Sequence, residues 1–156
     1  MKWHVFDLYC GLGGLGLGFK NAGFDCKGGI DYWQPAVSHN SRLLGHASYK
    51  SEVKDGDQII RNSGWKADNG ILVGGPPCQG FSLANQRRSS DRGKRQKSEL
   101  FNYVDLINRL KPALFLLENV GGMKDTPKNA ENAQSTVTGL TNEGYIVTAR
   151  VLNASD

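Results

Sequence analysis

The chain has 156 residues, 38% of them hydrophobic and 22% charged, which is one domain's worth of sequence with enough apolar content for a core. It has no apolar run of membrane-spanning length, and its first residues, MKWHVFDLY, show no signal-peptide pattern. This argues against a membrane or secreted protein and predicts a cytosolic one, or a nuclear one in a eukaryote. The net charge of +4 is concentrated: residues 87–99 hold six basic residues against two acidic ones, and the rest of the chain balances at thirteen and thirteen. Such a run is ordinarily a solvated basic loop, and beside a reactive centre it also suits a phosphate backbone.

Trp3 to Tyr9 (WHVFDLY), rich in aromatic and β-branched residues, predicts a first strand. It runs into CGLGGLGLGF, where Gly11, Gly13 and Gly16 match G-x-G-x-x-G ahead of a helix ending near Ala22. Glycines there let a nucleotide-like ligand approach a helix N-terminus. A second strand is expected from Asp25 to Ile30, delivering Asp31, which lies 20 residues past Gly11. That separation suits a carboxylate that grips ribose hydroxyls. A helix is predicted over Gln34 to Leu44, with Pro35 in its first turn and Gly45 past its end. Glu52-Val53 marks the end of a possible third strand, and Gln58 to Asn62 a short helix.

Ile71 to Gly74 predicts the next strand, which feeds the stretch GGPPCQGFS at 74 to 82. Two prolines withdraw two N–H donors and stop any regular element, leaving Cys78 on a stiff turn at a strand's carboxyl end, where open α/β sheets bind ligands. The plainer reading is a strand stop with a small buried cysteine. The three cysteines, Cys10, Cys26 and Cys78, form no C-x-x-C pair and no metal-ligand spacing with His4, His39 or His46. Up to Ser98 the chain shows no secondary-structure signal, so a long loop is expected. Leu100 to Leu110 has a helical apolar period ended by Pro112. Ala113 to Leu117 (ALFLL) is expected to be a strand buried on both faces, delivering Glu118-Asn119-Val120 to the same sheet edge. A weaker helix from Glu131 to Asn142 and a strand from Tyr145 to Leu152 complete the pattern. Alternating strands and helices imply an α/β fold: a doubly wound, mostly parallel, Rossmann-like sheet.

DLYCGLGGLGLGF at 7 to 19, Asp31, GGPPCQGFS, Leu100-Phe101 and Glu118-Asn119-Val120 occur in an order and spacing that resemble the amino-terminal part of the cytosine-C5 DNA methyltransferases. The resemblance covers almost the whole chain and implies an incomplete S-adenosylmethionine-dependent methyltransferase fold over residues 1–156. It implies Cys78 as the nucleophile that adds to cytosine C6, and Glu118 as the group that hydrogen-bonds the base at N3 and its amino group. The apolar strand before Glu118 predicts its burial, which favours a protonated, donating carboxyl. S-adenosylmethionine is the implied methyl donor. Tyr9, Gly11, Leu12, Gly13 and Gly14 would line its site, with Asp31 on the ribose, Tyr32 packed on adenine, Glu52 and Val53 at the adenine edge, and Pro77 and Leu100 closing the pocket.

The implied partner is double-stranded DNA, whose target base must be flipped out of the helix. Leu83 to Ser98 corresponds to the family's mobile loop. Ser82, Arg87, Arg88, Arg92, Lys94 and Arg95 would meet the nucleic acid there, the basic side chains suiting phosphates. Two exchanges depart from the family's usual pattern: Gly70 where Asp is frequent, and Glu52 where Asp is more usual. The family's Gln-x-Arg-x-Arg segment and target-recognition region have no counterpart after VLNASD. A second polypeptide carrying them, or a non-catalytic S-adenosylmethionine-binding piece, is therefore expected as an alternative. A related tRNA methyltransferase shares the motifs. Nicotinamide-dependent oxidoreductases share only the glycine pattern and the acidic residue, with no use for Pro-Pro-Cys-Gln or Glu-Asn-Val.

Overall fold

In the computed structural model, residues 2–77, 91–120 and 127–153 are described. Five parallel strands lie in the order β3-β2-β1-β4-β5. They are β1 (His4–Leu8), β2 (Asp25–Asp31), β3 (Ser48–Lys50), β4 (Gly70–Gly74) and β5 (Leu114–Leu117). Helices α1 (Gly14–Asn21), α2 (Gln34–Leu44), α3 (Asp57–Asn62), α4 (Asp91–Leu110) and α5 (Pro127–Asn142) connect or flank them. The chain first builds outward from β1 through β2 to β3, then returns to the other side of β1 with β4. The reversal falls between β1 and β4, the position at which doubly wound sheets open a ligand crevice beyond their strand tips.

The two faces of the sheet have different cores. Phe6, Leu8, Ile30 and Leu72 join Tyr103, Leu106, Ile107 and Leu110 of α4 on one face. Val5, Ile71 and Val73 pack against Leu15, Phe19 and Phe24 on the other. Every residue of β4 is buried, as a central strand requires. Tyr103, wholly buried, donates its hydroxyl between the carbonyls of Leu72 and Leu116, at 3.3 and 3.0 Å, so one side chain of α4 ties β4 to β5.

Four expectations are corrected. The third strand ends at Lys50, not at Glu52-Val53; those two residues open a single tight helical turn, Val53–Asp55. The stretch expected to be loop as far as Ser98 is helical from Asp91, because its Arg, Lys and Gln residues favour a helix by propensity while lacking the apolar period that would reveal one. β5 is not buried on both faces: Phe115 and Leu117 turn inward, while Leu114 and Leu116 are 50% and 40% exposed. Residues 145–152 form no strand. No ladder pairs them, and Ile146 is 98% exposed, although the Tyr145 hydroxyl anchors the segment by donating to the Pro112 carbonyl at 2.7 Å.

Candidate active site

Three strand tips and one turn converge at the crevice. After β1 the backbone turns sharply, with Tyr9, Gly11 and Gly13 all left-handed at φ 57°, 49° and 97°. Gly13 stands immediately before α1 in a conformation that favours glycine, and it accepts the first helical hydrogen bond, from Leu17 at 2.8 Å. Asp31, at the tip of β2, holds the turn in place. Its two oxygens accept the Gly11 N–H at 3.0 Å and the Trp33 N–H at 2.9 Å. The Cys10 N–H donates to the Ile30 carbonyl at 2.9 Å, so the turn is pinned to β2 twice.

From β4 and β5 come the Pro-Pro and Glu-Asn-Val stretches. The Glu118 N–H donates to the Gly74 carbonyl at 2.9 Å, continuing the ladder one residue past the strand. Asn119 then reaches across, its Nδ2 donating to the Pro76 carbonyl at 3.3 Å. A Cβ on Gly75 would lie 2.8 Å from Glu118 Oε2, so glycine at 75 is what lets the carboxylate lie over the β4 tip. Glu118 itself is exposed, against the burial predicted for it.

Between these pieces lies a cleft of about 500 Å³ lined by Asp7, Tyr9, Cys10, Gly14, Leu15, Gly75 and Glu118. Of the residues named from sequence, Tyr9, Gly14 and Glu118 thus share one cavity. Asp31 and Gly11 brace its turn, and Leu100, 4% exposed, is tied to it through the neighbouring Glu99, which accepts from the Tyr9 hydroxyl. Tyr32 and Leu12 are 63% and 60% exposed, presenting open apolar surface near the turn. Glu52 is partly exposed and pairs with Lys54 at 3.3 Å. Val53 is 2% exposed in the core with Ile30 and Ile60, so only its main chain can face a ligand. Pro77 is half-buried beside the fully buried Pro76. Arg92, Lys94 and Arg95 lie on the first turns of α4. Cys78, Ser82, Arg87 and Arg88 lie outside the described residues.

The electrostatics single out a residue that the sequence reading passed over. Asp7 is 2% exposed, and burial pushes its carboxyl up to about 7, opposed by a hydrogen bond from the Gly16 N–H at 3.1 Å and reinforced by the charge of Asp31. Its signal was available: an acid in the middle of the apolar strand WHVFDLY. Burial also raises the thiols of Cys10 and Cys26, with the Asp7 carboxylate the next cause for each, so both stay protonated and unreactive near neutrality. Among the described residues no cluster of His, Cys, Asp or Glu could hold a metal ion, and no helix is long and apolar enough to cross a membrane.

An all-parallel sheet with its crevice at the β1–β4 reversal, a glycine turn and an acid at the β2 tip is the Rossmann-like arrangement of the methyltransferases. The structure superposes on that of an E. coli prophage protein assigned as a DNA modification methyltransferase, with a TM-score of 0.71 and 26% identity over 90% of this chain and 38% of the other. It shares its fold with the Dnmt2 methyltransferase of S. pombe at a TM-score of 0.61 and 19% identity, over 88% of this chain and 40% of the other. Residues 3–156 match the model of the C-5 cytosine-specific DNA methylases, and the chain belongs to that family. It is 37% identical to the Type II methyltransferase M.XorII of Xanthomonas oryzae pv. oryzae, over 96% of this chain and 36% of that protein. It is 32% identical to the Type II methyltransferase M.HgiGI of Herpetosiphon aurantiacus, over 74% of this chain and 89% of that protein. It thus spans little more than a third of M.XorII, and 46% of a second Herpetosiphon relative, M.HgiDI.

Proposed function

We propose that the chain carries the cofactor-binding and catalytic part of an enzyme that transfers a methyl group from S-adenosylmethionine to C5 of cytosine in double-stranded DNA. The observation that carries this reading is the convergence of the glycine turn and Glu118 on one cleft, beside the Pro76-Pro77 stretch that leads to Cys78. The residues fit the cofactor. Gly14 and Leu15 line the cleft as the first residues of α1, where N–H groups have no carbonyl within the helix to bond, so this end suits a carboxylate. Each Asp31 oxygen accepts one backbone N–H and keeps acceptor capacity for ribose hydroxyls. Tyr32 offers an open ring to adenine, with Glu52 and the Val53 main chain at its edge and Pro77 and Leu100 flanking.

When bound, S-adenosylmethionine supplies an electrophilic methyl group on a sulfonium. The chain's own residues make the base reactive toward it. The Cys78 thiolate adds to C6 of the flipped cytosine, which makes C5 electron-rich. Glu118 hydrogen-bonds N3 and the amino group and stabilises the charge that develops there. Once C5 has taken the methyl group, loss of its proton breaks the bond to Cys78 and releases the thiolate. Arg87, Arg88, Arg92, Lys94 and Arg95, with Ser82, supply sequence-independent contacts to the DNA backbone.

Duplex DNA carrying 5-fluorocytosine tests the reading in protein that contains this chain. With S-adenosylmethionine present it should trap a covalent adduct, because fluorine leaves C5 without a proton to lose. An adduct that persists in Cys78→Ala overturns the nucleophile. Calorimetric binding of NAD in place of S-adenosylmethionine overturns the cofactor.

A further inference from the structure

The turn after β1 is held from a distance. Tyr9 sits at φ 57°, a left-handed conformation that non-glycine residues adopt rarely and keep only where the surroundings enforce it. Its hydroxyl supplies part of that enforcement, donating to the Glu99 carbonyl at 2.8 Å and lying 3.1 Å from Glu99 Oε2. Asn102 on the next turn of α4 donates to the same carboxylate oxygen at 3.3 Å and so fixes its direction. Burial, with Glu99 alongside, raises the Tyr9 hydroxyl further above its ordinary range, so it remains a donor. The residue after Glu99 is Leu100, buried in place. Tyr9, on the turn after β1, and Leu100, on α4, lie 91 positions apart in the chain, and the function proposed above sets both beside S-adenosylmethionine.

We propose that Glu99 is a positioning residue for the cofactor pocket, clamping the wall that carries Tyr9 to the wall that carries Leu100 through the Tyr9 hydroxyl. This rests on the reading of that pocket as the S-adenosylmethionine site. A phenol held at both its backbone and its hydroxyl presents a fixed ring to the ligand. The pocket is then formed before binding, and affinity is not spent on ordering it. The clamp also makes α4 sense occupancy: a ligand that tightens the Tyr9 turn tightens the helix from Glu99 onward.

Three single variants separate the parts. Tyr9→Phe keeps the ring and removes the donor, Glu99→Ala keeps only the main-chain acceptor, and Glu99→Gln keeps a side-chain acceptor. S-adenosylmethionine is titrated calorimetrically into the wild type, these variants and the Tyr9→Phe/Glu99→Ala pair. Amide exchange over residues 99–104 is followed with and without the ligand. Tyr9→Phe should weaken binding about tenfold, the upper end of what one hydrogen bond between uncharged groups contributes. Glu99→Gln should stay within about twofold, and the pair should be no weaker than Tyr9→Phe alone, because the two changes remove one interaction. Ligand should slow exchange at 99–104 in the wild type and leave it unchanged in Tyr9→Phe. Variants that melt at lower temperature yet bind as the wild type does, with the same protection of α4, overturn the proposal and leave the cofactor reading standing. A wild type that does not bind S-adenosylmethionine overturns the cofactor reading and the clamp with it.

Discussion

Replacing Asp7 by Asn should convert a pH-dependent protein into a flatter one. Asp7 is almost wholly buried, and burial above all pushes its carboxyl up to about 7 in the fold from an ordinary 3.8. Between those values the folded state holds a proton that the unfolded chain has released, so this group makes stability fall as pH rises. Its stabilising effect relative to the ionised form is complete below about pH 4 and is lost as pH rises through about 7. Relative to a group that does not titrate, the cost is roughly 1.5 kcal/mol at pH 5 and roughly 4 kcal/mol at pH 8. Asn keeps a carbonyl to accept the Gly16 N–H and removes the charge. Any constant penalty for its amide N–H₂ shifts both pH values alike. The stability difference, variant minus wild type, should therefore grow by about 2.5 kcal/mol from pH 5 to pH 8. Urea denaturation followed by tryptophan fluorescence, with Trp65 buried in the core as a reporter, measures it. A difference that stays constant across this range, or grows toward acid, refutes the reasoning.

Three further outcomes are expected. Gly75→Ala should cost about 0.5 kcal/mol or less in stability, since only the end of a flexible side chain obstructs the new methyl, yet it should displace Glu118 and lower methyl transfer at least tenfold; unaltered turnover counts against the Glu118 role. Tyr103→Phe should lower stability by about 1 kcal/mol by removing the donor shared between β4 and β5; a thermal midpoint equal to the wild type's would show that the bridge contributes nothing. Iodoacetamide at mild alkaline pH should spare Cys10 and Cys26 in the folded protein and modify both after denaturation, with peptide mass mapping as the readout; rapid labelling of either in the native state contradicts their raised thiols.

Much of the architecture was legible because its signals are local. Pro35 and Gly45 bracket α2 in sequence, and the helix runs between them with Gly45 in the left-handed conformation at φ 68°. The glycine turn and Asp31 were readable for the same reason: backbone freedom and a carboxylate at a fixed separation are written in one short segment. What failed depended on partners elsewhere. Residues 145–152 have a strand's composition, but a strand exists only by pairing, and nothing in YIVTARVL says whether a neighbour is present. The first turns of α4 hide behind a wholly polar sequence. Burial of Glu118 was inferred from the apolar residues before it, yet its position at the strand tip leaves it outside the core. Glu99 was invisible as a site residue because its meaning lies in Tyr9, 90 positions away.

The sheet order also sets a timetable during synthesis. β1 can pair with β2 once the chain has been made to Asp31, but the opposite edge of β1 must wait for Gly70–Gly74. At a ribosomal rate of about 5–20 residues per second, the 62 residues from Tyr9 through Gly70 take roughly 3 to 12 s. Throughout that interval a strand carrying Val5, Phe6 and Leu8, each at most 1% exposed in the finished fold, presents an unpaired edge. The central position that later protects β1 best therefore leaves one of its two edges open until β4 is made. Nascent chains stalled between β3 and β4 should recruit chaperones or aggregate more than chains released after Leu117, by which point β4, the apolar face of α4 and β5 have all been made.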